Sequence, residues 1–228
     1  GSAAASSNTS GSITSTVSVN ATAGFSIVTY TGNSTNNTVG HGLGVAPKMI
    51  IAKSRSVSSN WAVYHTSLGA ANAVKLNLTD ASSAISTYWN NTAPDSNKFY
   101  VGTSDAVNAT GTMVAYCFAE IAGFSKFGSF TSTGTTDNAF VYCGFRPKFI
   151  LLKNASDVGN WNIIDTSRNT YNVANLYLRP NTSDAEQTGD IADILSNGFK
   201  GRATLGTAGN TYIFAAFAEN PFKNALAR

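Results

Sequence analysis

Residues 47–53 read Pro-Lys-Met-Ile-Ile-Ala-Lys, and residues 60–67, beyond a polar loop, read Asn-Trp-Ala-Val-Tyr-His-Thr-Ser. Later in the chain, the order Pro-Lys-Phe-Ile-Leu-Leu-Lys stands at 147–153 and Asn-Trp-Asn-Ile-Ile-Asp-Thr-Ser at 160–167. The first part of each stretch is continuously apolar between two lysines, which is typical of a central β-strand. A stretch that recurs in this way indicates that the chain contains two copies of one structural unit.

The rest of the chain follows the same duplication. Matching segments occur in the same order in both halves, namely 24–25 with 123–124, 74–78 with 174–178, and 112–120 with 211–219. We therefore expect three regions: a linker with one strand at 1–23, a first repeat at 24–121 and a second repeat at 122–228. Within the first region, we expect the first dozen residues to be a flexible linker and the alternating residues 13–19 to form the strand. Because the junction between the repeats is so short, we also expect them to pack against each other as a rigid pseudo-symmetric pair.

The composition predicts an all-β fold. Of the 228 residues, 43% are hydrophobic and only 12% are charged, so Ser, Thr, Asn and Gly must cover much of the surface. These residues suit exposed strands and turns better than helices. Each copy contains about seven short strand-like segments separated by turn residues, which is typical of an antiparallel β-sandwich. Two tandem repeats of about 99 residues are predicted. Within them, 85–89 is expected as a further strand, and only 184–195 has a helical pattern.

The charge pattern argues against several classes of partner. The formal net charge is +3, and the basic residues do not form the cluster that nucleic-acid binding requires. No apolar run approaches the length of a transmembrane helix, so we expect no membrane insertion. No phosphate-binding loop or dinucleotide fingerprint is present, so we expect no cofactor.

The titratable residues do not form a recognisable catalytic or metal-binding pattern. His41 and His65 are the only histidines, and they lack the further closely spaced ligands of a zinc site. Glu120 and Glu219 are matched carboxylates at the ends of equivalent strands, and equivalent positions in a duplicated pair seldom converge on one substrate. Hydrogen bonding at the strand ends is the better interpretation of both glutamates. We predict no catalytic residue, no metal site and no enzymatic activity.

The two cysteines of the chain do not require an oxidising compartment. Cys117 and Cys143 each lie in an apolar, strand-like run. We interpret them as buried free thiols, since unpaired cysteine is among the most frequently buried residue types. A disulfide between them remains open at this level.

Candidate ligand-binding residues are those that differ between the copies. Trp61 and Trp161 are matched, which favours core anchors over sugar-stacking platforms. Unmatched aromatic residues beside amide and charged side chains are where we expect binding specificity, because a ring face next to fixed hydrogen-bonding groups is typical of sugar contacts. Ordinary loop contacts remain the alternative for each of them. The candidates are Tyr88, Trp89, Asn90, Asn91, Asp165, Arg168 and Tyr171.

Several longer motifs resemble a domain common at the C-terminal ends of bacteriophage virion proteins, especially tail-fibre-like proteins of aquatic phages. They are Gly-Phe-Ser-Ile-Val-Thr-Tyr-Thr-Gly (24–32), Val-Gly-His-Gly-Leu-Gly-Val-Ala-Pro (39–47), Tyr-Cys-Phe-Ala-Glu (116–120), Gly-Phe-Ser-Lys-Phe-Gly-Ser (123–129), Gly-Phe-Arg-Pro (144–147) and Ala-Phe-Ala-Glu-Asn-Pro-Phe (216–222). The second copy also resembles SPRY-type and concanavalin A-like modules, which are β-sandwiches of the jelly-roll kind. The resemblance covers essentially the whole chain.

The resemblance implies a virion protein rather than an enzyme. Its partners would be other virion proteins and a host cell-surface glycan, and fibres of this kind are commonly homotrimers. We expect attachment to the host surface at the tip of a tail or head fibre. The alternatives are a purely structural module for capsid or tail decoration or for trimerisation, and a polysaccharide depolymerase.

Overall fold

The structure, a computed structural model, describes residues 4–202 and 205–219. Antiparallel β-strands dominate these residues, and helices are limited to short turns, which confirms the all-β prediction. The chain divides into two compact units. Unit 1 comprises 1–76 and 82–120, and unit 2 comprises 77–81 and 121–228.

Unit 1 is built on an eight-stranded sheet with the order β1-β2-β3-β10-β5-β6-β7-β8, and β4 and β9 pair separately. Its strands are β1 (Ser6–Asn8), β2 (Ser15–Asn20), β3 (Phe25–Gly32), β4 (Asn37–Gly40), β5 (Met49–Ser54), β6 (Ala62–His65), β7 (Asn72–Lys75), β8 (Ser83–Ala84), β9 (Lys98–Val101) and β10 (Gly111–Phe118). A 3₁₀ turn (Ala21–Ala23) and the helices α1 (Ser86–Trp89) and α2 (Asp105–Asn108) connect them. The continuously apolar strand β5 lies between β10 and β6, as its sequence predicts.

Unit 2 also contains an eight-stranded sheet, with the order β11-β18-β13-β14-β15-β16-β17-β12. Its strands are β11 (Ser125–Thr131), β12 (Phe140–Tyr142), β13 (Pro147–Asn154), β14 (Trp161–Asp165), β15 (Ala174–Leu178), β16 (Gln187–Leu195), β17 (Gly198–Gly201) and β18 (Thr211–Ala218). The sheet curls so that β12 and β17 at one end share a core with β13 and β18 near the other.

Each unit has its own hydrophobic core with a sandwich-like arrangement. In unit 1, Val39 of β4 and Phe99 of β9 are buried in one cluster with Val28, Ile50 and Ala115 of the large sheet. The alternation of buried and exposed residues along β3 and β10 produces this inward face, because successive strand residues point to opposite sides.

The core of unit 2 is richer in aromatic rings. Phe199 and Phe214 meet edge to face with their centroids 5.4 Å apart. Ile150, Ile164 and Val141 belong to the same buried cluster, so residues from both ends of the curled sheet contribute to it. Trp161 is also buried, as predicted, whereas Trp61, just before β6, is half-buried.

Corresponding segments of the proposed repeat occupy corresponding places in the two sheets. The order β3-β10-β5-β6-β7 in unit 1 matches the order β11-β18-β13-β14-β15 in unit 2. The outer strands differ, since unit 1 adds β1, β2 and β8 whereas unit 2 adds β16, β17 and β12. The two-repeat interpretation, the region boundaries and the rigid pairing of the repeats stay predictions.

The structure corrects three local expectations. The first dozen residues are not all linker, because Ser6–Asn8 pairs with β2 after a turn in which the Asn8 side chain accepts from the Ser10 amide at 2.9 Å. The stretch 85–89, expected as a strand, instead forms the helix α1 from Ser86 to Trp89. The prediction of a helix at 184–195 is wrong, because Gln187–Leu195 forms β16 and pairs with a strand on each side. Two-sided pairing stabilises a strand there despite the local pattern.

Candidate functional site

Tyr88 and Trp89 do not lie on a polar loop, which corrects the expectation from the sequence. Both rings are buried in the core of unit 1, where Trp89 is only 2% exposed. The Trp89 ring meets the ring of Tyr64 edge to face at 6.0 Å between centroids. These two aromatic residues therefore stabilise unit 1 and present no ring face to a ligand.

Asn90 and Asn91 form the turn that follows α1. Their φ angles are 48° and 49°, the left-handed region that asparagine tolerates better than most residues. The Asn90 carbonyl accepts from the hydroxyl of Thr92 at 2.9 Å. Asn91 is exposed and Asn90 is half-buried, so only Asn91 offers its amide freely to solvent.

In unit 2, Asp165 and Arg168 meet where β14 runs into the β14–β15 loop, residues 166–173, and Tyr171 lies on the same loop. Asp165 ends β14, and its Oδ1 accepts from the backbone amides of Ser167 at 2.9 Å and Arg168 at 3.0 Å. This turn is formed by a side chain that accepts backbone hydrogen bonds, which aspartate does readily. Its other oxygen forms an ion pair with the Arg168 guanidinium.

The Arg168 guanidinium lies between two carboxylates. Its Nη1 contacts Asp165, and its Nε donates to Oε2 of Glu186 at 2.9 Å. Glu186 stands just before β16 and was not among the residues expected from the sequence. The three side chains carry one positive and two negative charges, so this site favours hydroxyl donors of a neutral ligand over an anion.

Two asparagines anchor the rest of the loop. The Asn169 Oδ1 accepts from the Leu176 amide at 2.7 Å. The Asn172 side chain exchanges two hydrogen bonds with the backbone of Ile194, at 2.8 and 2.9 Å. The loop is therefore tied to β15 on one side and to β16 on the other.

Tyr171 is the exposed ring on this anchored loop. The residue is 84% exposed, more than the other exposed large hydrophobic residues of the described chain. Because its neighbours are held by hydrogen bonds, the loop displays the ring with little backbone freedom left to lose on binding. The loop thus carries an accessible ring together with Arg168, whose guanidinium contacts the carboxylates of Asp165 and Glu186.

An exposed aromatic edge in unit 2 was missed by sequence reasoning. Phe140 is 48% and Tyr142 is 64% exposed, and both point to the outer face of β12 while Val141 points to the core. β12 is the last strand of its sheet. The alternation Phe-Val-Tyr could have indicated a half-buried strand, but the sequence does not reveal that this strand lies at an edge.

Several other titratable residues are engaged in structural contacts. The Arg146 Nε donates to Oε2 of Glu219 at 2.8 Å. His41 is buried, which lowers the pKa of its imidazole despite a contact with the Asp95 carbonyl oxygen at 3.0 Å. Cys117 and Cys143 are both buried and neither forms a disulfide, which confirms the prediction of buried thiols. Nowhere in 4–202 and 205–219 do three or more His, Cys, Asp or Glu side chains group as potential metal ligands.

The short helices of the described chain include none with the length and apolar character needed to cross a membrane. No curated protein and no solved structure matches the chain. Residues 1–221 match the family model described as Domain of unknown function (DUF7483). This match covers nearly the whole chain, which therefore belongs to the DUF7483 family.

Proposed function

We propose that this chain is a non-enzymatic module of a bacteriophage virion that attaches a tail or head fibre to glycan on the host surface. The observation that carries the proposal is the exposed Tyr171 ring on the anchored loop 166–173 of unit 2. The phage assignment is supported by the motif resemblance at 24–32, 39–47 and 216–222, and by the Ser/Thr/Asn-rich, charge-poor composition.

The chemistry of the loop suits a neutral sugar. A sugar ring has an apolar face that can stack on Tyr171, and its hydroxyls can donate to carboxylate oxygens. Oε2 of Glu186 is engaged by Arg168, and the Glu186 side chain is 41% exposed, so this carboxylate can also accept from a ligand.

The expected affinity of one loop is low. A single stacked ring contributes only about 0.5–1.5 kcal/mol beyond its burial. A homotrimeric fibre, which the family resemblance implies, would present several loops at once and gain avidity without any new contact. Other virion proteins would then be the structural partners of this module.

The test is binding of the full chain to a glycan array and to polysaccharide from candidate host cells. Replacing Tyr171 by Ala should weaken binding about fivefold to tenfold per site, since it removes the stacked ring. Tyr142→Ala is the matched control, because it removes another exposed tyrosine of the same unit and should leave glycan binding unchanged. Circular dichroism should show both variants folded.

Two results would overturn this assignment. Equal binding by the wild type and by Tyr171→Ala would show that the loop does not carry the interaction. Hydrolysis of the polysaccharide by the purified chain would instead make the protein a depolymerase.

A structural role is the second candidate, and the exposed edge strand β12 favours it. An edge strand with outward-facing Phe140 and Tyr142 is a typical site for pairing with another chain. If the module only joins virion proteins, the wild type should bind no glycan. Substitutions Phe140→Asp and Tyr142→Asp should then shift the oligomeric state in analytical ultracentrifugation, whereas Tyr171→Ala should not.

A further inference from the structure

We propose that unit 1 carries a separate binding site for a carboxylate-bearing saccharide on the outer face of its large sheet. The site is a shallow depression of about 240 Å³ on β2, β3 and β10. Its polar lining consists of Thr14, Thr16, Thr29, Thr31, Thr112 and Arg55. This site lies in the other unit from the loop around Tyr171 and does not depend on the function proposed for that loop.

Strand register brings the threonines together. Thr16 stands opposite Thr29 on β3, and Thr31 stands opposite Thr112 on β10. Because residues two apart on a strand share a face, Thr29 and Thr31 both point outward while the intervening Tyr30 is buried. The result is an array of hydroxyls from three neighbouring strands.

Such an array matches the chemistry of a sugar. Each hydroxyl can both donate and accept a hydrogen bond, as sugar hydroxyls do. The γ-methyl groups of the same threonines offer apolar contact to the C–H groups of the ring. The volume is below the roughly 300–1,000 Å³ of pockets for drug-sized ligands, so the depression suits about one saccharide ring.

Arg55 supplies the charge. It is exposed, and it forms no ion pair with any carboxylate of the described residues. The other four arginines of the described chain, which are Arg146, Arg168, Arg179 and Arg202, each pair with an aspartate or glutamate. A guanidinium that is not neutralised within the protein keeps its fork of donors for a ligand carboxylate.

The backbone of Arg55 is held beside the threonine array. Its amide donates to the Thr112 carbonyl oxygen at 2.8 Å. The next residue, Ser56, accepts from the Thr112 amide at 2.8 Å, and the two hydroxyls are 2.9 Å apart. Gly111 permits this approach, since a Cβ there would lie 2.6 Å from the Ser56 hydroxyl oxygen. The cation is thus placed at the rim of the depression by β10.

Charge complementarity selects the ligand class. The lining contains one cation and no carboxylate, so a single negative group of the ligand would be attracted. A lone arginine among five hydroxyls differs from the clustered basic footprint of a nucleic-acid site. We therefore assign the site to an acidic sugar, with the carboxylate on Arg55 and the ring hydroxyls on the threonines.

The test is a nuclear magnetic resonance titration of the full chain with sodium glucuronate, with glucose and inorganic phosphate as comparison probes. Glucuronate should shift the amide signals of Thr31, Arg55 and Thr112 at millimolar concentration, and should bind more tightly than either comparison probe. Arg55→Gln should weaken glucuronate binding about fivefold, as expected for an exposed charged pair. Glucose binding should be unchanged in this variant.

Two further variants distinguish failure of the unit 1 site from failure of the function proposed for the unit 2 loop. Thr31→Val keeps the shape of the side chain but removes its hydroxyl, and should weaken both sugars. Tyr171→Ala should leave glucuronate binding at wild-type strength even if it abolishes glycan binding by unit 2. Equal binding of glucuronate and phosphate, equal affinity in Arg55→Gln, or signal shifts confined to unit 2 would each overturn the assignment.

Discussion

Lys153 of unit 2 makes the stability of the fold depend on pH in an unusual direction. It lies on β13 and is fully buried. Its Nζ donates to the carbonyl oxygens of Gly159 at 2.9 Å and Thr79 at 3.1 Å, so neutral acceptors solvate the ammonium. Burial lowers the pKa of Lys153 from 10.5 to about 8, although the charges of Asp80 and Asp157 act in the opposite direction.

The direction in which the free energy of unfolding changes with pH follows from proton binding. Between about pH 8 and pH 10.5 the unfolded chain holds a proton on this lysine more often than the folded chain does. The free energy of unfolding therefore rises with pH across this window. Well below pH 8 both states are protonated, and burying the ammonium costs a constant amount of about 3 kcal/mol. About 2 kcal/mol of that cost should disappear between pH 7 and pH 9.5.

The assay is urea unfolding at pH 7 and at pH 9.5, followed by circular dichroism. Lys153→Met keeps the length of the apolar stem and removes the titrating group. The Thr79 carbonyl oxygen still accepts from the Gly159 amide at 2.8 Å in this variant. The variant should lack the gain of about 2 kcal/mol that the wild type shows. All other titrating groups are common to both proteins and cancel in the comparison.

Lys53 provides a matched control. It occupies the corresponding place in the motif 47–53, but it is half-buried, and its Nζ contacts the Ser54 carbonyl oxygen and the Ser59 hydroxyl. Lys53→Met should keep the pH-dependent gain of the wild type. Parallel pH profiles for wild type and Lys153→Met would refute the reasoning, because they would show that burial does not perturb this lysine.

Three further outcomes are expected. Trp89→Ala should lower the free energy of unfolding by about 3–5 kcal/mol in urea unfolding. Trp89→Phe should cost less than about 1.5 kcal/mol, because the indole Nε1 has no hydrogen-bond partner among the described residues. Equal losses of stability in the two variants would contradict this. Burial raises the pKa of the Cys117 thiol to about 12. Mass spectrometry should therefore find Cys117 unmodified by iodoacetamide at pH 8 until urea is added. Rapid labelling of Cys117 in the folded chain would contradict this expectation. Asn108→Ala should lower the free energy of unfolding by about 2–3 kcal/mol in the same assay. The buried Asn108 side-chain amide donates to the Gly102 carbonyl oxygen at 3.0 Å and accepts from the Asn33 backbone amide at 3.0 Å. An unchanged urea midpoint would count against a structural role of Asn108.

Much of the fold could be predicted from local patterns. The apolar run at 48–53 indicated a central strand, and β5 is one, since it pairs with β10 on one side and with β6 on the other. Alternation along 13–19 likewise indicated the strand β2. The period of two is a property of the backbone itself, so it can be read without knowing any distant contact.

The candidate site could be predicted only where its residues are neighbours in the chain. Asp165 and Arg168, both candidates from the sequence, are three residues apart and meet on one turn. Glu186 completes the same cluster from the start of β16 and had no local signal. Trp89 beside two asparagines had the pattern of an exposed loop, yet contacts with Tyr64 of β6 bury it.

Long-range strand pairing decided the remaining features. Thr16 and Thr29 form part of one surface only because β2 and β3 pair in a particular register, and Thr112 joins them only because β10 inserts beside β3. A slip of one residue would turn these hydroxyls to the opposite face. The amino-acid sequence thus determines the strands and their alternating faces, whereas which faces become buried, exposed or joined into a site depends on strand order and register. These arise from the free energy of the whole core and not from any local segment.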